Sequence, residues 1–280
     1  MMFQSTRMGA TSRRAVRHSL GRVPGVVLGL ILSIMLGGCV TEQTSGRVQP
    51  KEQPEEAADL NVQLGVGYLR QGDLKAAQGK LEKAIELEPG NVTAHRALGL
   101  VYERLGDAEA AERQYRKAVS LAPDDPEALN SLAVFLCSDD RSREEALDMF
   151  DLAIAVPQSR QYSNKAMLNT NAGVCAKQKD LALAENYLRT ALVFDSSFAD
   201  ALLQMADVAY RRQNYLQARA FLQRYSAVAA ASPAVLWLSF QVEIAMGDVK
   251  AADEAARTLR REFPESVETR MLLERERNAG

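Results

Sequence analysis

The sequence predicts an all-α solenoid of six helical hairpins closed by one further helix. Three observations carry that prediction. Similar segments recur at 34-residue steps along the chain, the mark of a repeat architecture. Gly-Asp pairs and prolines punctuate most of these steps at matching places, as turn and stop signals. Alanine, leucine and glutamate dominate between the stops and β-branched runs are few, a composition that favours helix.

The chain opens with a segment of another kind. Arg7, Arg13, Arg14, Arg17 and Arg22 lie in an N-terminus without an acidic residue, and residues 23–38 carry no charge. A basic start followed by an apolar run and small residues is the pattern of an export signal. Leu36-Gly37-Gly38-Cys39 closes it and resembles the lipobox of bacterial lipoproteins. That resemblance implies cleavage after residue 38, a covalent lipid on Cys39 and retention at a membrane. As a membrane span the uncharged run is short against the roughly 17–25 residues required, and Pro24, Gly25 and Gly29 weaken it further. Val40 stands where Asp would be the usual inner-membrane retention signal, so the periplasmic face of the outer membrane is the expected address. Residues 39–57, with Pro50, Pro54 and almost no apolar side chain, read as a flexible lipidated tether.

Removing the five leader arginines from 34 basic residues leaves 29 against 36 acidic, a net charge of about −7. Such a surface disfavours nucleic acid, whose phosphates need basic contacts.

The solenoid is expected over residues 58–280. Leu64-Gly65, Tyr68, Gly72-Asp73, Ala77, Leu81, Ala84 and Pro89 are echoed by Leu98-Gly99, Tyr102, Gly106-Asp107, Ala111, Tyr115, Ala118 and Pro123. This pattern resembles the tetratricopeptide repeat, and the resemblance implies a right-handed superhelix. Small residues let the paired helices approach closely, Gly-Asp turns the chain and Pro stops the second helix. Equivalent positions fall at 64, 98, 132, 171, 205 and 239. The units are therefore near 58–91, 92–125, 126–164, 165–198, 199–232 and 233–265, with a capping helix at 266–277. The step of 39 between units three and four is the one irregularity. One extra residue falls between Leu132 and Ala146, and four fall near residues 157–164.

No catalytic chemistry is legible. Beyond the leader the only histidine is His95, within the first helix of unit two, and no phosphate loop, metal-ligand spacing or nucleophile elbow occurs. The expectation is a non-enzyme without metal, small-molecule substrate or cofactor other than the lipid. Cys137 and Cys175 sit late in the first helices of adjacent units; an oxidising compartment allows them to bridge, and two buried thiols are the alternative.

Tetratricopeptide arrays bind peptides along a concave face built by the first helices. On repeat numbering that face takes Val62, Val66, Leu69 and Arg70 from unit one. Unit two contributes Arg96, Leu100, Glu103 and Arg104, and unit three contributes Asn130 and Val134. Chaperone-binding arrays carry asparagines where this chain has Val66, Leu100 and Val134, so an apolar peptide or helix suits the groove better.

Several segments exceed the generic repeat. LGVGYLRQGDLKAAQGKLEKAIELEP (64–89), VYERLGD (101–107), LNSLAVFLC (129–137), NAGVC (171–175), ARAFLQRY (218–225) and the stretch 236–248 around Trp237 stand in one order. With the lipobox they resemble the type IV pilus biogenesis/stability family, the PilF/PilW pilotins. Ser131-Leu132-Ala133 departs from that family's usual Asn-Tyr-Gly. The resemblance implies an outer-membrane lipoprotein that binds secretin subunits and promotes their localisation and multimerisation. The rival reading is a repeat lipoprotein of another envelope machine, such as β-barrel assembly or cell-wall synthesis.

Overall fold

Thirteen helices and no strand make up the described residues, 54–157 and 164–279 of a computed structural model. They run as pairs: α1 (Pro54–Gln71) with α2 (Leu74–Leu87), α3 (Val92–Leu105) with α4 (Ala108–Leu121), and α5 (Pro126–Leu136) with α6 (Arg143–Ala155). Then come α7 (Lys165–Ala176) with α8 (Leu181–Phe194), α9 (Ala199–Arg211) with α10 (Tyr215–Ser226), and α11 (Pro233–Met246) with α12 (Val249–Glu262). A single helix, α13 (Val267–Ala279), ends the array. Residues 1–53, including the leader, Cys39 and most of the expected tether, lie outside the described residues, as do 158–163 of the expected insertion. No helix of the described residues is long and apolar enough to cross a membrane.

One boundary differs from the sequence expectation. The first helix begins at Pro54, inside the stretch read as tether to residue 57. Proline is suited to a helix's first turn, Glu55 and Glu56 complement its dipole, and Ala58 is already fully buried. Packing therefore recruits a segment whose composition looks like linker.

The turns inside units one, two and six share one backbone solution. Gly72, Gly106 and Gly247 hold φ of +81°, +81° and +78°, a left-handed conformation that glycine adopts without strain. The aspartate after each caps the next helix: Asp73, Asp107 and Asp248 accept from the amides of Ala76, Ala110 and Ala251 at 3.0, 2.9 and 3.1 Å. Unit five uses poorer chemistry. Gln213 takes φ +62° with a full side chain, and Asn214 makes no side-chain cap bond.

Within each pair, side-chain sizes are matched across the helices. A Cβ on Gly65 would stand 2.6 Å from Leu81, on Gly99 2.8 Å from the Tyr115 ring, and on Gly173 2.7 Å from Leu188. Unit three sets Ala133 in one cluster with Phe150, and unit six reverses the sizes, Phe240 clustering with Ala256. In each of these pairs large faces small, which lets the two helices approach closely.

This packing corrects the register of unit four. Repeat spacing places Ala172 where Gly65 and Gly99 stand, yet it is Gly173 that meets the second helix, at the same kind of contact. The link inside unit three is also longer than one inserted residue suggests, because α5 ends at Leu136 and α6 starts only at Arg143. At the far end Leu272 of α13 is fully buried, and the Thr269 hydroxyl donates to the Phe263 carbonyl at 2.7 Å. Arg275 of α13 lies 5.4 Å over the Phe240 ring, so the last helix covers the open face of unit six.

Candidate interaction surface

Two depressions adjoin on the face built by the odd-numbered helices. The first, about 350 Å³, runs across α1, α3 and α5, and the second, about 270 Å³, across α5 and α7. Val134 lines both, so they form one strip.

Seven of the ten residues expected from repeat numbering meet in the first depression: Val66, Leu69, Arg96, Leu100, Glu103, Asn130 and Val134. Val62 does not belong to it. Its side chain is 8% exposed and packs with Ala84 and Ala94 under α2 and α3, because in a helix positions 62 and 66 already differ by 40° and the first turns inward. Arg70 and Arg104 are exposed and do not line the depression; Arg104 spends a donor on the Leu69 carbonyl at 3.1 Å.

The charged groups of the strip are largely compensated. Arg96 pairs with Glu127 of the next unit, and the Tyr115 hydroxyl donates to Glu103 at 2.9 Å. Burial first, and then the Glu103 carboxylate, push the Tyr115 phenol well above its ordinary pKa. Asn171 donates to Asn130 at 2.9 Å between α7 and α5. What the strip leaves unpartnered is mainly apolar: Val134 is 46% and Val174 36% exposed.

Tyr115 and Val174 are among the lining residues that repeat numbering missed. Tyr115 comes from a second helix, and only Gly99 opposite, which leaves its ring room to approach, hints at it. Val174 is found once Gly173 is set equivalent to Gly65 and Gly99. The residues one step on, Val66, Leu100, Val134 and Val174, then form an apolar row of four.

A disulfide joins Cys137 and Cys175, with Cα atoms 5.7 Å apart, and both cysteines line the second depression. It ties the third and fourth hairpins together beside the irregular step. Among the described residues no group of three His, Cys, Asp or Glu side chains is placed to hold a metal ion. His95 is buried, with Nδ1 2.7 Å from Gln114 Oε1 and Nε2 3.1 Å from the Pro89 carbonyl, and touches neither depression.

Beyond unit four the face changes character. Asp207 and Gln241 occupy the places of Val66 and Leu100. Lys177, just past the end of α7, reaches across to Gln204 and Asp207 at 2.6 and 2.5 Å, and Asp207 also accepts from Arg211 at 3.1 Å.

Comparison with known proteins agrees with this architecture. A tetratricopeptide-repeat family model matches residues 62–126 and 103–163. The type IV pilus assembly protein PilF of Pseudomonas aeruginosa is 27% identical over 242 residues, covering 86% of this chain and 94% of the relative. The crystal structure of PilW, a widely conserved type IV pilus biogenesis factor, superposes with a TM-score of 0.70 at 29% identity, over 77% of this chain and 98% of that one. A structure of Pseudomonas aeruginosa PilF gives 0.67 at 28% identity, over 79% and 99%.

Proposed function

We propose that this chain, a tetratricopeptide-repeat relative of type IV pilus biogenesis factors, is a lipid-anchored pilotin. In this reading it captures secretin subunits on the α1–α7 strip and brings them to the outer membrane for multimerisation. The observation that carries the reading is the likeness to pilus assembly factors along nearly the whole repeat array, rather than over a few generic repeats. Leu36-Gly37-Gly38-Cys39 supplies the anchor, since buried acyl chains contribute roughly 0.8 kcal/mol per methylene. Val40 directs it onward from the inner membrane. The Cys137–Cys175 bridge suits an oxidising compartment such as the periplasm. The strip offers an apolar row with compensated charges, which favours an apolar peptide or amphipathic helix of the partner over a charged one.

The test separates anchor from recognition. Cys39→Ala should leave a chain that still co-purifies with secretin subunits but no longer delivers them, so that outer-membrane multimers fall away. Normal multimers in that variant would overturn lipid-directed delivery. Affinity capture of β-barrel assembly or cell-wall components, with no secretin, would overturn the partner.

A further inference from the structure

The two ends of the repeat array are finished differently. At the C-terminal end α13 lies over unit six; at the N-terminal end no described element covers α1. The consequence is visible at equivalent positions. Leu98 and Met205, buried at 2% and 1% exposure by the preceding unit, correspond to Leu64, which is 41% exposed. Ala94 and Ala201, both fully buried, correspond to Leu60 at 56%. Val101 and Val208 correspond to Gly67, where an added Cβ would meet nothing within 4 Å. Residues 60, 64 and 67 form one stripe of a helix. Leu60 is larger and more apolar than the alanines at its place inside the array, and Gly67 is smaller than the valines at its own; a helical glycine facing open space is a local penalty unless something approaches it closely.

The stripe is complementary to itself. Glu56 and Asp59 lie on one flank at its N-terminal end, and Arg70 lies on the same flank at its C-terminal end; all three are exposed and none forms an ion pair among the described residues. When two such helices run antiparallel about an axis at Leu64, same-side flanks face each other. Leu60 of one copy then falls over Gly67 of the other, Leu64 meets Leu64, and Arg70 comes opposite Glu56 and Asp59. A parallel pairing would bring opposite flanks together, setting these charged residues against Asn61 and Tyr68 and leaving Arg70 without an acidic partner.

We propose that this surface is an isologous docking site for a second copy of this chain, formed by antiparallel pairing of two α1 helices across Leu60, Leu64 and Gly67. The occupant is a second copy because the stripe supplies both knob and notch, and both signs of charge in the order that antiparallel pairing requires.

The experiment uses the full chain in its native membranes, with a photo-crosslinking benzoylphenylalanine at position 64 and a second, differently tagged copy co-produced. Illumination should give an adduct carrying both tags. The same group at position 216, where Leu216 of α10 is 73% exposed, should give at most a tenth as much. Gly67→Leu adds its side chain to open space, so thermal unfolding should be unimpaired while the adduct falls at least tenfold. Arg70→Glu should weaken the adduct, and adding Glu56→Arg and Asp59→Arg should restore it. Absence of the two-tag adduct, or an adduct at position 64 with a different protein only, would overturn self-pairing. Failure of the charge exchange to restore it would overturn the antiparallel register.

Discussion

The odd-helix face is two surfaces built from one repeat. Across units one to four it carries the row Val66, Leu100, Val134 and Val174, which the chain itself leaves partly uncovered. Across units five and six the same places hold Asp207 and Gln241, and Asp207 is already engaged by Lys177 and Arg211. Apolar side chains left in water gain from a partner, whereas an ion pair already satisfied gains little and must be desolvated to bind. The difference teaches which half should recognise and which should support. The disulfide lies inside the apolar half, tying the third hairpin to the fourth.

Breaking that cross-link inside the apolar half should have the largest effect on stability. Replacing both Cys137 and Cys175 by Ser removes a cross-link between residues 38 apart, for which chain entropy gives at most about 4 kcal/mol. Melts of the parent with and without reductant should reproduce the loss; equal stability would show that hairpins three and four need no tie. Lys177→Met comes next. Its side chain is 10% exposed, and Asp207 keeps Arg211, so a loss of about 1–3 kcal/mol is expected in denaturant titrations. Partner capture should be unchanged, and a matching loss of capture would erase the division between the halves.

On the other half the signature should reverse. Val134→Asp places a charge in the middle of the apolar row, at a residue 46% exposed. Stability should move by less than about 1 kcal/mol, while capture falls about tenfold or more; calorimetry with purified secretin segments reads both. Tyr115 gives a smaller, pH-dependent contrast. Its phenol is held above the ordinary value of about 10, so its contribution is full below that pH and is lost as pH rises toward the folded pKa. Denaturation at pH 9 and 11 should show a shallower alkaline loss in Tyr115→Phe than in the parent; Tyr102 and Tyr187, raised first by burial as well, act in the same direction. The smallest effect belongs to unit five. Gln213→Gly relieves a left-handed residue at φ +62° and should stabilise by roughly 0.5–1 kcal/mol. A destabilised variant would mean that the Gln213 side chain holds the turn.

Much of this was legible in the residues. Gly72-Asp73, Gly106-Asp107 and Gly247-Asp248 announce turns because only glycine takes that φ cheaply and aspartate caps the helix that follows. Seven of the ten expected groove residues gather because helical spacing makes 66, 69 and their equivalents share a face. Val62 was misread because a position one turn away looks the same in sequence while pointing inward. Val174 was missed because spacing counts residues, whereas equivalence in space is decided by which small residue meets the second helix. Pro54–Ala57 looked like tether because local composition says nothing of the core that Ala58 enters.

Sequence alone determined the number of hairpins, their turns, and the periodic supply of small and large residues, since those follow from backbone preference and spacing within one unit. Only tertiary structure decided the register of unit four, the pairing of Cys137 with Cys175, and the division of one face into an open apolar half and a self-paired half. Those depend on contacts between units, where a shift of one residue rotates a side chain by about 100° and changes what it meets.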